Sequence, residues 1–421
     1  MQHKQHAAKK ELHTDQVMLN LFLTMSEDFS STYGPDLCHR AKNALFTSDI
    51  KGFRGVSWPS RPDSLPPHLY KWLYQLENLF KRYRFASDMF TDEELEAQAK
   101  EKFLATQRRI AQPITVTSVV HRVLRQARVI ATRILGEYDL GEHERSCEFG
   151  KRACIGTPYR ESYLDEKMLN RPFTGSPEHI SWFENCAAGD PYLSKIWQRA
   201  KDGKRIVPCL DLQYVTVPKS YKAFRGIMPN TALGAFYTAG LGKMLMKRLR
   251  NAGLNIRRLQ KLHRRLAKAG SRHRNWVTAD LSSASDSLCL QLLRWILPSS
   301  WYRAIVYGRA RYVEVDGKRV LLSSIVTMGL GQTFPLQTLV FYCLVKAMGE
   351  LDGRKHLVSV YGDDLIYSSH LHRYVEEIFP KLHLLLNEDK TYVTDHFRES
   401  CGGDYYRGFD VRPYQPEGGS Q

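Results

Sequence analysis

Four aspartates, a glycine-rich turn, one lysine and one short basic stretch are the residues of this chain whose types and spacing could do chemistry. Trp276-Val277-Thr278-Ala279-Asp280 reads as a short strand ending in a carboxylate, and Asp286 follows six positions later across a polar turn. Alone, Asp280 is an ordinary strand-end residue. Further on, two strand-like runs, His356–Tyr361 and Leu365–Tyr367, flank Gly362-Asp363-Asp364, which reads as a hairpin with adjacent carboxylates at its turn. A bare Gly-Asp-Asp is a common turn; the β-branched and aromatic flanks keep this one tight and aim it. If the Asp280 strand lies beside that hairpin, Asp280 and Asp363 converge with Asp364 close by. Three ionised carboxylates cannot share that space without cations, and two Mg²⁺ about 3.5–4 Å apart would both satisfy them and clamp an in-line phosphoryl displacement.

Two basic elements complete the set. Lys219, Lys222 and Arg225 recur every three residues beside Pro218, which predicts an extended, polyproline-like segment with all three cations on one side, suited to a triphosphate. An exposed basic strand explains this stretch equally well. Lys390, in Asn387-Glu388-Asp389-Lys390, is a candidate proton donor, although most lone lysines are surface charges.

Elements must hold these groups in place. Asp286 can cap a helix carrying Cys289, Leu292, Leu293 and Ile296 on one face and stopping at Pro298. Met328-Gly329-Leu330-Gly331-Gln332-Thr333-Phe334-Pro335 predicts a turn into a helix that buries Leu336, Leu339, Val340, Cys343, Leu344 and Ala347. Upstream, residues 1–200 are mostly helical by pattern, broken near Trp58–Pro62 and Pro66-Pro67, with one helix from about Thr91 to Ile110 opened by Asp92, Glu93 and Glu94. After Lys201 the texture turns to short β-rich runs, and from Trp276 to Val411 strands and helices alternate, an α+β pattern. The main boundary is expected near residues 240–275, and the tail 414–421 as unstructured.

Composition narrows the partners. With 61 Lys+Arg against 44 Asp+Glu in 421 residues the formal net charge is +17, and 43% hydrophobic residues rule out wholesale disorder. Twelve of the cations fall between Lys243 and Arg274, a stretch with no Asp or Glu. A solvated helix face normally alternates signs. Arg122, Arg125, Arg128 and Arg133 form a second cluster at helical spacing. Together they read as phosphate-contacting walls, so the partner is a polyanion, nucleic acid rather than membrane. No segment has the roughly 18 uncharged apolar residues of a membrane helix, and the N-terminus lacks a signal-peptide pattern. The eight cysteines show no C-x-x-C pair, which fits reduced thiols in a cytosol. His143, Cys147 and Cys154 are near neighbours in sequence but match no zinc spacing.

The order of these pieces resembles the palm and fingers motifs of viral RNA-dependent RNA polymerases, and most closely the replicase catalytic (beta) subunit of positive-strand RNA bacteriophages of the leviviral, Qbeta type. The strings that carry it are Asp280-Leu-Ser-Ser-Ala-Ser-Asp286-Ser287, Met328-Gly-Leu-Gly-Gln-Thr-Phe334, Tyr361-Gly-Asp-Asp364, Phe397-Arg-Glu-Ser-Cys401-Gly402, and Tyr405-Tyr406-x-Gly408-x-Asp410-Val411; the match covers residues 205–413 and is weak upstream. The resemblance implies an α+β right-hand polymerase with helical fingers (1–240, including the N-terminal region) and a ferredoxin-like antiparallel β palm (241–413, entered through the basic lead-in 243–274). It implies a thumb absent or abbreviated, since family members usually continue well past the position of Asp410. It further implies primer-independent, RNA-directed RNA synthesis with two Mg²⁺, Mn²⁺ being an alternative, in the cytoplasm of an infected bacterium.

In that scheme Asp280 and Asp363, assisted by Asp364, bind the metals, and Lys219, Lys222 and Arg225 hold the triphosphate. Lys390 protonates pyrophosphate. Asp286 senses the ribose 2′-hydroxyl with the Gly329–Thr333 turn, and Cys147–Cys154 forms a template-entry element. Partners implied are RNA template and product, NTPs, host elongation factors Tu and Ts and an RNA-binding ribosomal protein. Two small departures are Thr327 where Ser is frequent and Gln337 where many RNA polymerases carry Asn. A basic RNA-binding protein without catalysis would explain the charge but not the ordered carboxylates; an inactive truncated polymerase is the third reading.

Overall fold

The computed structural model describes residues 15, 17–26, 51, 63–85, 88–325, 328–416 and 418–419. Trp58–Pro62, Cys38 and Thr327 lie outside these residues. Among the described residues the chain mixes helices with short strands, an α+β architecture.

The N-terminal half is built on helices whose ends the sequence marks. α1 (Pro67–Asn78) starts with proline at its first position, where a missing N–H costs nothing. α2 (Asp92–Ala111) is capped by Thr91, whose hydroxyl accepts from the Glu94 N–H while the Glu94 carboxylate accepts from the Thr91 N–H. α3 (Ser118–Leu135) buries Val120, Val123, Leu124, Ala127, Ile130 and Ala131 and leaves Arg122, Arg125 and Arg133 exposed. Arg128 instead donates to the Arg294 carbonyl at 3.2 Å, so one member of the basic cluster ties helices together.

A hairpin follows, β1 (Val215–Ser220) with β2 (Ala223–Ile227), then two long helices, α4 (Ala232–Asn251) and α5 (Ile256–His273). The stretch from Trp276 gives β3 (Trp276–Ala279), β4 (Leu281–Ser282), α6 (Leu290–Ile296), α7 (Ser299–Tyr307) and the hairpin β5 (Tyr312–Val315) with β6 (Lys318–Leu321). Next come α8 (Thr333–Asp352), the hairpin β7 (Val358–Tyr361) with β8 (Asp364–Ser368), and β9 (Leu385–Leu386). A last meander is formed by β10 (Phe397–Ser400), β11 (Gly403–Tyr406) and β12 (Phe409–Asp410).

The central sheet runs β7-β8-β3, antiparallel throughout, with Ala279 opposite Leu365 and Trp276 opposite Ser368. On the free edge of β3, Thr278 exchanges backbone hydrogen bonds with Tyr392 at 2.8 and 3.2 Å, and β4 pairs with β9. Strand period two sorts the side chains. Val277, Ala279, Val360, Leu365 and Tyr367 join α8 and α3 in one apolar cluster that runs from Ile110 to Leu384. On the opposite face Ser359 meets α5: His263 bonds the Ser359 hydroxyl at 2.9 Å through Nε2 and the Ser400 hydroxyl at 3.0 Å through Nδ1. Burial pushes that imidazole down to about 4, so it stays neutral and stitches α5 to both β7 and β10. α8 is buried nearly all round; Leu336, Leu339 and Leu344 are wholly inaccessible, each adding about 1.5–3 kcal/mol of burial.

Arg398 braces the meander from within. Its wholly buried guanidinium donates to the carbonyls of Trp276, Val393, Asp395 and Phe397. Tyr70 of α1 stacks on Tyr406 with ring centroids 3.9 Å apart, so the N-terminal segment packs on this meander. Past it, Tyr414 exchanges hydrogen bonds with the Gln75 side chain through its own N–H and carbonyl, and Gly418–Gly419 pair with Tyr83–Arg84. These contacts depart from the unstructured tail expected for 414–421.

Candidate active site

The site starts from a two-residue turn. Tyr361 faces Asp364 across the β7–β8 hairpin, leaving Gly362 and Asp363 at its tip. Gly362 has φ +64° and donates its N–H to Thr338 Oγ1 at 2.9 Å; a Cβ there would stand 2.3 Å from the Phe334 ring. Only glycine turns the chain that tightly against α8, and the turn aims Asp363 into a cleft of about 480 Å³.

The cleft gathers side chains from seven separate segments. Asp280 leaves the end of β3 and Asp363 the hairpin tip; Lys219 and Arg225 come from β1 and β2; Asp286, Gly329 and Thr333 complete the predicted residues that line it. Asp280 is held from the far side of the sheet edge, where its Oδ2 accepts from Asn387 Nδ2 at 3.2 Å and stands 3.5 Å from Lys390 Nζ. Lys390 also lies 3.9 Å from Glu399. Burial alone would lower its ammonium, but Glu399, Asp280 and Asp364 together hold it above the usual lysine value.

The electrostatics record two charges of one sign pressed together. The enclosing walls and then the Asp280 charge push the Asp363 carboxyl up. Lys219 is pushed down, first by its enclosure and then by Arg225, Lys390 and Lys102. Asp280 and Asp363 share the cleft lining with Lys219 and Arg225, and like charge adds to burial at Asp363 and at Lys219. Anionic phosphate next to the cations and a cation between the carboxylates would relieve both. Among the described residues no three or more His, Cys, Asp or Glu side chains are arranged to hold a metal ion. What the cleft offers is the pair Asp280 and Asp363.

Several expectations need correcting. Asp364 does not line the cleft; its carboxylate accepts the Cys401 N–H at 3.2 Å, and burial followed by the Asp363 charge pushes it up to about 7. The segment around Pro218 is extended and paired as a β-hairpin, which fits the basic-strand alternative rather than a polyproline-like run. All three cations are exposed; Lys219 and Arg225 line the cleft, while Lys222 lies at the turn outside its lining, so the three do not share one side as period three required. Asp286 caps nothing: the next helix begins at Leu290 with Cys289 as its cap. Buried beside the cleft, the Asp286 carboxyl is pushed up to about 7 by that burial, against the pull of Lys102. His143, which matched no zinc spacing, has both ring nitrogens engaged, Nδ1 with Tyr138 at 2.7 Å and Nε2 with the Tyr237 carbonyl at 2.9 Å.

Further residues line the cleft. Gln337, singled out in the sequence, is among them, as are Asn387 and Arg152 of the segment expected to guide template entry; Lys102, from α2, was not foreseen. No local pattern marks Lys102; it is an ordinary surface cation until the fold brings it in. Glycine also shapes the rim: Gly329, at φ +123°, lies so close to the end of β2 that a Cβ would stand 2.9 Å from the Met228 carbonyl.

The basic stretch 243–274 divides. Lys243 pairs with Glu148, and Lys247 and Arg248 with Glu142, so its α4 part is largely neutralised. On α5, Arg257, Arg258, Lys261, Arg265, Lys268 and Arg272 remain exposed along the face opposite the sheet.

A family model described as RNA replicase, beta-chain, matches residues 62–416. The chain is 38% identical over 202 residues to the RNA-directed RNA polymerase subunit beta of Escherichia virus Qbeta, covering 48% of this chain and 34% of that protein. It is 30% identical over 339 residues to the corresponding subunit of Enterobacteria phage SP, covering 76% of this chain and 56% of that one. The chain thus spans about a third to just over half of the curated relatives it matches. Among solved structures, the RNA-dependent RNA polymerase of a human picobirnavirus aligns over 89% of this chain and 69% of its own, at TM-score 0.47 and 11% identity.

Proposed function

Because the chain belongs to the RNA replicase beta-chain family, we propose that it catalyses RNA-directed RNA synthesis, RNA(n) + NTP → RNA(n+1) + pyrophosphate, in phage RNA replication. The observation that carries this reading is that Asp280 and Asp363 line one cleft together with Lys219 and Arg225. The two carboxylates fit divalent metal in donor type, both lining one cleft, with the Asp363 carboxyl raised first by burial and then by the Asp280 charge. Asp280 and Asp363 would hold two Mg²⁺, or Mn²⁺ in its place, with Asp364 adding negative charge from behind. Bound there, the ions supply activation of the 3′-hydroxyl and charge neutralisation at the phosphates.

The remaining work falls to the chain's own groups. Lys219 and Arg225 grip the triphosphate and stabilise charge as it moves toward the leaving group, with Lys222 adding long-range attraction from the hairpin turn. Lys390 keeps its proton on a carboxylate-lined ledge and delivers it to departing pyrophosphate. Asp286 reads the ribose 2′-hydroxyl, with the Gly329–Thr333 turn closing over the sugar.

In this proposal residues 1–240 are N-terminal region and fingers and 241–413 a ferredoxin-like palm of a right-hand polymerase. Initiation needs no primer, the subunit acts beside host elongation factors Tu and Ts and a ribosomal protein, and the setting is the cytoplasm of an infected bacterium. No described helix is long and apolar enough to cross a membrane.

The test is Mg²⁺-dependent NTP incorporation on an RNA template, with Asp363→Asn beside it. Incorporation abolished by the substitution is the expected result. Incorporation that survives it removes Asp363 from the chemistry, and RNA binding without incorporation in either protein favours a non-catalytic RNA-binding role.

A further inference from the structure

A second cavity, of about 530 Å³, shares no lining residue with the cleft. Its walls come from the start of the helix Pro177–Ala188, the segment around strand Asp211–Gln213, α7 and the chain entering β5. Four arginines line it: Arg303, Arg309, Arg311 and Arg319. Arg319 is already spent, because it makes a two-pronged pair with Asp211 at 2.8 and 2.9 Å and covers the Tyr312 ring at 3.7 Å. The other three have no such partner among the described residues.

Arg309 is the telling one. Its Nη2 donates to the Leu322 carbonyl at 3.2 Å, but its Nη1 is buried with no hydrogen-bond partner. The charges that act on it are its own burial, the Tyr302 phenol and a like charge on Arg311; no carboxylate is among them. A guanidinium does not escape such a position by losing its proton, so a buried donor without an acceptor remains. Glu178 is the single carboxylate in the lining, and it is held ionised first by its own backbone N–H and the Ser176 hydroxyl, only weakly by Arg311. The cavity therefore carries about two uncompensated positive charges, counting Arg303, Arg309 and Arg311 against Glu178.

Tyr302, Tyr307, Leu290 and Val306 supply the rest of the surface on the α7 side. A ligand that matches has an anionic group with several acceptor oxygens for the guanidinium forks and a flat ring for the tyrosines, in a volume suited to one small molecule or one residue of a polymer. We propose that this cavity is a nucleotide-phosphate site separate from the cleft, occupied by a phosphate and base of single-stranded RNA or of a free nucleotide. Arg309 lies at the base, with Arg303 and Arg311, both exposed, at the mouth. This assignment stands whether or not the cleft is catalytic, since it concerns binding elsewhere on the chain.

The experiment uses the full chain in EDTA, with a fluorescent octauridylate followed by anisotropy across a salt series and ATP as competitor. Arg303→Glu/Arg311→Glu alters only exposed side chains, and Lys195→Glu/Arg199→Glu makes the same charge change on exposed residues outside the cavity. The expected result is an affinity loss of about tenfold for the cavity variant, with the log–log salt slope shallower by about 1.4 for two lost phosphate contacts, and a much smaller loss for the control. Loss of RNA affinity with ATP competition unchanged assigns the site to a strand; loss of ATP competition as well assigns it to free nucleotide. No loss, or an equal loss in the control pair, overturns the proposal.

Discussion

Lys390 Nζ stands 3.5 Å from Asp280 Oδ2 across the edge of the central sheet. The pair joins the end of β3 to the segment that follows β9, so a group proposed to give up a proton is parked on a group proposed to hold metal. In that proposal a cation at Asp280 would free the lysine with its proton still in place, because Glu399 and Asp364 also favour the charged form. Lys390→Met is expected to slow incorporation by about 10²-fold, the usual scale for losing a positioned proton donor, with the NTP KM changed far less. Lys390→Arg keeps the charge but surrenders no proton. Single-nucleotide incorporation followed by quench-flow checks this: both variants should be slow, and wild type should show no loss from Lys390 deprotonation up to about pH 10, because its ammonium is held above the usual lysine value.

Gly362 is the position at which backbone shape and chemistry meet. A Cβ at Gly362 collides with the Phe334 ring at 2.3 Å, and its φ of +64° is costly for any other residue. Gly362→Ala is expected to cost about 1–3 kcal/mol and to swing Asp363 out of the cleft, abolishing incorporation. Pairing it with Phe334→Ala relieves the collision but not the dihedral strain, so thermal stability should recover in part while activity stays low. Full recovery of activity in the double variant would place the burden on the ring contact alone.

Much of this site was legible because its key signals are local. The flanks of Gly362-Asp363-Asp364 are β-branched and aromatic, and they form the β7–β8 hairpin at the expected residues; the apolar pattern from Leu336 to Ala347 forms α8. The errors lie where tertiary partners decide. Around Pro218 the basic-strand alternative holds, but which of its cations enter the cleft was decided by the pairing of Val215–Ser220 with Ala223–Ile227. The acid-free charge of 243–274 is partly cancelled by Glu142 and Glu148, about a hundred residues upstream. Lys102 and Arg152 reach the cleft only because α2 and the loop before Cys154 fold over it.

The hairpin correction separates three lysines and arginines that the sequence treats alike. Lys219 and Arg225 line the cleft and Lys222 does not. Lys219→Ala and Arg225→Ala are each expected to raise the NTP KM and lower kcat/KM by about 10–100-fold, the scale of one lost charge-assisted contact to phosphate. Lys222→Ala should change kcat/KM by about threefold or less, and that change should vanish at high salt because its attraction is long-range. Steady-state kinetics at two ionic strengths distinguish the residues; an equal effect at all three would return the segment to the polyproline-like geometry.

Asp286 couples the site to stability through pH. Its carboxyl is raised from the unfolded value of 3.8 to about 7 by burial. Below about pH 4 both folded and unfolded chains carry the proton, and the residue costs nothing. Between pH 4 and pH 7 the unfolded chain releases its proton first, so folding stability contributed by this group declines, and the full penalty is present above pH 7. Asp286→Asn removes the titration. The variant's gain in melting temperature should be small near pH 4.5 and reach a few degrees at pH 8. The same substitution should weaken preference for NTP over dNTP by about tenfold, because an amide cannot replace the carboxylate as acceptor from the 2′-hydroxyl with equal strength. Calorimetry at the two pH values reads the first effect and competition between UTP and dUTP reads the second. A raised melting temperature with unchanged sugar preference would leave Asp286 a buried acid with no part in substrate selection.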